Sequence, residues 1–183
     1  MMRSMSRPTL DQPVTLSIGT MSRPHLLEAL RNRGVGLNES ATTLLGDSIF
    51  DRAEPQSVTF VDRSVSELGL IHGAVLSQIF EAARESGLRL CPPTTGPYLR
   101  LALQSQTTAP DTVLSNGQAP SGSLTVASFP LRPDPDYPRG FYLRVIGGQP
   151  WLRGYRCSDD HVWNLGDRFV FEASRSTAVL QST

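Results

Sequence analysis

The sequence predicts an α+β fold, with an N-terminal helical pair and one central amphipathic helix packed on a mainly antiparallel sheet of about five strands, an ordinary sheet size. Three observations predict it. Apolar residues recur at helical spacing only in the first half of the chain, at Leu26, Leu27 and Leu30 and again at Val75, Leu76, Ile79, Phe80 and Ala83. From Pro97 onward the period falls to two, with Leu99, Leu101 and Leu103 alternating with Tyr98, Arg100 and Ala102. Helical segments therefore precede strands instead of alternating with them, which argues against a doubly wound sheet.

Taken in order, Met1 to Pro13 holds Arg3 and Arg7 and no apolar run of the kind an export signal needs, so residues 1–13 are expected to be a flexible lead-in. Val14 to Ile18 reads as a short strand. Ser22 stands where a helix cap belongs, with Pro24 in the first turn and Gly34 as the stop. Asn38 caps a second helix through Leu45, ended by Gly46, so the pair spans Ser22 to Leu45. A strand follows at Val58 to Val61. The strongest helix runs from Ala74 to Ser86, with Gln78, Glu81, Arg84 and Glu85 turned away from its apolar stripe, and Gly87-Leu88 is a left-handed stop.

The alternating segment after Pro97 reads as a strand. Leu124 to Phe129, Gly140 to Ile146, Trp151 to Tyr155 and Arg168 to Phe171 read likewise, with Gly147-Gly148 as a hairpin turn. Ser, Thr, Gln, Pro, Gly and Asn predominate over 104–123, which is expected to be a long loop. The last ten residues, 174–183, are expected to fray. One α+β domain over 14–173 accounts for the rest, since 183 residues suffice for one good core.

The composition limits the chemistry. The chain has 17 basic and 17 acidic residues, so its charge balance calls for neither nucleic acid nor an acidic membrane surface. Every basic residue is Arg. That removes the P-loop lysine, the Schiff-base lysine and the Ser–Lys pair. No apolar run is long enough to span a bilayer. Two cysteines are too few for a disulfide scaffold, and a reducing, cytoplasmic setting is expected.

Three stretches share a pattern. They are Ser66-Glu67-Leu68-Gly69 with its following helix, Gly87-Leu88-Arg89-Leu90-Cys91-Pro92 leading to Gly96-Pro97-Tyr98-Leu99-Arg100-Leu101, and Trp151-Leu152 with Trp163 and Phe169-Val170-Phe171. The set resembles a family of small uncharacterised bacterial proteins, in which a helix ends in Gly-Leu-x-Leu-Cys-Pro and runs into a Gly-Pro-x-Leu-Arg-Leu strand. The likeness covers about residues 58–173 and departs from the family at 104–123, where the family turn is shorter. It implies a fold and no activity.

Four groups of residues are candidates for function. Cys91 and Cys157, with only three His, make too small and scattered a set for zinc, so no metal and no cofactor is expected, and Cys91 reads as a packed thiol. Asp159, Asp160 and His161 are the densest acidic cluster. With a nearby Cys they are the residues a hydrolase would use, although adjacent Asp residues favour turn chemistry. Arg100 and Arg144, each between apolar neighbours, are expected on the non-core face of the sheet with Tyr98 and Tyr142, and with Trp151 close by. Such a face would grip a small anionic ligand or a protein partner. Arg23, Arg31 and Arg33 give the helical pair a helix-turn-helix look, but its turn is long and its second helix has no basic residue. The reading is a binding or interaction protein. The alternatives are a hydrolase and, less favoured, a nucleic-acid module.

Overall fold

The computed structural model describes residues 10, 12–103 and 122–174. Most of the expected lead-in over 1–13, of the loop over 104–123 and of the tail over 174–183 lies outside the described residues. Among those described, the fold is α+β, and no helix is long and apolar enough to cross a membrane.

The first half follows its local signals. Strand β1 is Val14–Ile18, and α1, Arg23–Asn32, begins at Ser22 with Pro24 in its first turn. Gly34 turns the chain at φ 67°, a left-handed conformation that glycine adopts without strain. Helix α2, Glu39–Leu45, is capped by Asn38, whose Oδ1 accepts from the Ala41 N–H at 2.9 Å. Between the two helices lies an unforeseen two-residue strand, β2, Gly36–Leu37. A short helix α3, Ile49–Arg52, leads into β3, Gln56–Ser64, which is longer than the sequence suggested. Helix α4, Leu76–Glu85, buries Leu76, Ile79 and Ala83 and stops before Gly87.

Beyond α4 two expectations fail. After strand β4, Leu88–Arg89, the segment from Pro97 is not a strand but the body of helix α5, Thr95–Ala102. Thr95 through Arg100 are all buried, so the helix has no polar face and its leucines carry no helical period. Pro97 falls in the first turn, where its missing N–H costs nothing. Gly96 lets the helix press on the sheet: a Cβ there would lie 2.6 Å from the Phe141 ring. The second failure is the sheet's size. Among the described residues it has eight strands, β5 (Leu124–Val126), β6 (Gly140–Ile146), β7 (Gln149–Tyr155) and β8 (Arg168–Ala173) completing the set. It is also mixed, since β5–β8 and β2–β7 are parallel pairs among antiparallel ones.

The order is β1-β3-β8-β5-β6-β7-β2, with β4 also on β8. Because β3 holds one edge of β8 at Glu172, β4 must pair with Glu172 and Ala173 from the edge that β5 uses over Arg168 to Val170. Strand β5 therefore yields to β4 after Ala127, whose carbonyl accepts from the Cys91 N–H at 2.7 Å. That displacement cuts the expected strand short and throws Phe129 out of the sheet.

Helices cover both faces of the sheet. On one face α1, α2, α3 and α5 pack Leu26, Leu30, Leu44, Phe50 and Leu99 onto Phe60, Phe141, Leu143 and Val170. On the other, α4 packs Leu76, Ile79 and Ala83 onto Val61, Phe169 and Phe171, with Trp163 beside them. Alternation along β8 sends Val170 to the first core and Phe169 and Phe171 to the second.

Candidate functional site

A groove of about 1040 Å³ opens where β5 gives way to β4. Helix α4 forms one wall with Leu76, Phe80 and Arg84. The segment Leu88 to Pro92 forms the other, and Phe129, Pro130, Arg139 and Asp159 line the rest. The walls follow from the local sequence. Leu76, Phe80 and Arg84 stand four residues apart on one helical face. In Leu88-Arg89-Leu90 the two leucines are spaced to share one side of extended chain. Phe129 is 69% exposed, a large aromatic left in the open beside partly buried Phe80 and Leu90.

Three arginines line the groove and each has a carboxylate. Arg84 pairs with Glu81 one turn back, and Arg89 with Glu172 across the β4–β8 pair. Arg139 pairs with Asp159, Nη1 to Oδ1, at 2.6 Å. Burial works most strongly against the charge on Arg139, yet the hydrogen bond to Asp159 and the electrostatic attraction of Cys157, Asp159 and Tyr155 together outweigh it and hold its pKa above the ordinary value. The Arg139 backbone is anchored through its N–H to the Tyr155 carbonyl at 2.8 Å.

The structure places the expected site residues in three different settings. Cys91 and Asp159 both line the groove, but not as reactive partners. Burial pushes the Cys91 thiol well up, the Glu172 carboxylate adds to this, and Sγ donates to the Val170 carbonyl at 3.3 Å. A protonated thiol of this kind is a poor nucleophile. Burial raises the Cys157 thiol too. Asp160 is exposed in a turn closed by the His161 N–H on the Ser158 carbonyl, and a hydrogen bond from the Ser158 side chain lowers its pKa. The His161 ring stands edge-on to Trp163, with 5.1 Å between centroids. Turn chemistry and aromatic packing account for this cluster. Among the described residues no group of three or more His, Cys, Asp and Glu could hold a metal.

The expected arginine face is not a surface. Arg100 is on α5, not on a strand, and is 3% exposed; Arg144 on β6 is 5% exposed. The two do meet, Arg100 Nη1 donating to the Arg144 carbonyl at 3.4 Å, with Nη2 on the Leu103 carbonyl. Burial lowers the Arg100 pKa to about 10, which leaves it charged at neutral pH. Tyr98 is buried as well, its Oη accepting from the Met21 N–H at 3.1 Å and tying α5 to the start of α1. Tyr142 and Trp151 do share a sheet face with Arg144, because β6 and β7 pair Tyr142 with Arg153 and Arg144 with Trp151. Arg153 sits between the two rings, 6.0 Å from the Tyr142 centroid and 5.4 Å from that of Trp151. The Trp151 ring leans over Gly36, where a Cβ would come within 2.6 Å of it. These are cross-strand cation–π pairs among partly buried side chains of the sheet.

The residues that the sequence reading missed are Phe80, Leu88, Leu90, Phe129 and Arg139. Phe80 read as part of the helix's apolar stripe, Leu88 as part of a left-handed stop, and Phe129 as the end of a strand. The available signal was Phe129-Pro130, since a proline directly after a central strand would interrupt its ladder. No family model matches the chain, and neither the curated proteins nor the solved structures contain a match to it.

Proposed function

We propose that this chain is a binding protein whose ligand is mainly apolar and occupies the groove between α4 and Leu88–Pro92. The observation that carries this reading is a concave, leucine- and phenylalanine-lined space of about 1040 Å³ in which every lining arginine already has a carboxylate partner. Ligand pockets are typically apolar clefts with a few placed polar groups, and this one has the same build. The raised thiols of Cys91 and Cys157 and the turn setting of Asp160 favour binding over hydrolysis. Both cysteines are free thiols, which fits a reducing, cytoplasmic location. Within the Gly-Leu-x-Leu-Cys-Pro stretch, Leu88 to Pro92 supply one wall of the groove.

The test is a fluorescence titration with Nile red, a neutral apolar dye. Wild-type protein should bind it saturably. Phe129→Asp, a change at an exposed position, should weaken binding about tenfold or more, because it places a charge inside an apolar site. Far-UV circular dichroism should stay unchanged. Absence of saturable binding, or binding indifferent to both Phe129→Asp and Phe80→Ala, would remove the groove as the site.

A further inference from the structure

Resting on that reading, we infer that the ligand is a medium-chain acyl carboxylate, its chain in the groove and its carboxylate on Arg139. The three lining arginines differ in how firmly they are held. Arg84 takes its carboxylate from its own helix, and Arg89 takes one from the neighbouring strand, so backbone geometry fixes both pairs. Their side chains are also open to water, at 70% and 56% exposure. Arg139 is only 25% exposed, and its partner Asp159 stands 88% exposed in a turn.

Because Asp159 is so open to water, it holds Arg139 only weakly and is readily exchanged for another carboxylate. Among the described residues that line the groove, Arg139 is thus the cation that is partly desolvated while its carboxylate partner stands in solvent. A ligand carboxylate arriving with a tail in the groove would meet a planar guanidinium able to accept it through two hydrogen bonds. Asp159 would then turn out to water. The apolar walls supply affinity in proportion to chain length, and Arg139 selects for the acid over its neutral analogues. No bond is made or broken.

The experiment is displacement of Nile red at neutral pH by decanoate and by decanol, on wild type, Arg139→Gln, Arg139→Lys and Asp159→Asn. Decanoate should displace the dye at about tenfold lower concentration than decanol. Each methylene added to the acid should tighten binding about fourfold. Arg139→Gln should abolish the preference for the acid and leave decanol unchanged, and Arg139→Lys should retain only part of it. Asp159→Asn removes the internal competitor from an exposed position, so it should tighten decanoate binding severalfold and leave decanol alone. Equal displacement by acid and alcohol, or an acid preference indifferent to Asp159→Asn and both Arg139 variants, would overturn the inference and leave the groove standing. Displacement by neither compound would overturn it too, with the groove reserved for another ligand. Failure of the dye itself to bind would remove the groove and the inference together.

Discussion

Ile79 and Phe80 are neighbours on α4, yet they serve different ends. Ile79 is fully buried in the core beneath the helix, whereas Phe80 is partly buried and lines the groove. Ile79→Ala should cost about 2–5 kcal/mol, the range for an aliphatic side chain removed from a core. Phe80→Ala should cost clearly less in urea denaturation and weaken dye binding more. The helical stripe was legible in the sequence, but the boundary between core and groove was not. That boundary depends on where β5 leaves the sheet, and a helical period carries no information about it.

Cys91 gives a second prediction at this scale. Its thiol titrates higher in the folded chain than in the unfolded one, so the stability it contributes is intact below the ordinary thiol pKa of about 8.5 and declines as pH rises above it. Stability should hold through neutral pH and fall as pH rises above about 8.5, with the raised thiol of Cys157 adding to the early part of the fall and the tyrosines to the part near pH 10. Cys91→Ala should flatten that fall. An identical slope in the variant would mean that the thiol is not buried as described. The packed cysteine was legible from its neighbours in sequence. The burial of Arg100 and Arg144 was not, because alternation assigns a residue to a face and leaves open what covers that face.

At the scale of elements, Asn38 joins α2 to the sheet. Its Oδ1 accepts from the Ala41 N–H and also from the Gly154 N–H at 2.8 Å, while Nδ2 donates to the Gly154 carbonyl at 3.0 Å. The side chain thus serves both as a helix cap and as a pairing partner for β7. Asn38→Ala should cost about 2 kcal/mol, the top of the range for a lost cap, since the Gly154 groups also lose their partner. Asn38→Asp keeps the acceptor and loses the donor, so it should fall between wild type and Ala in a denaturation series. Equal stability of all three would show that neither contact contributes.

Helix α5 marks where local reading fails. A segment buried on all sides has the composition of an inner strand and of a core helix alike, and only Gly96 and Pro97 in its first turn distinguish them. Gly96→Ala should destabilise the fold by about 1–3 kcal/mol, as overpacking does, because the new methyl meets the Phe141 ring.

Across the whole molecule, the mixed sheet and its two covered faces follow from long-range pairings. The parallel β5–β8 contact and the sharing of one β8 edge by β4 and β5 join residues about forty to eighty positions apart, beyond any local pattern. The same sharing opens the groove, so fold and proposed function have one origin. Amide hydrogen exchange, measured with and without saturating decanoate, tests this most directly. The account predicts slowed exchange in α4 and in Leu88 to Cys91, with little change in β6 and β7. Protection centred on β6 and β7 around Tyr142 and Trp151, with α4 unaffected, would contradict it.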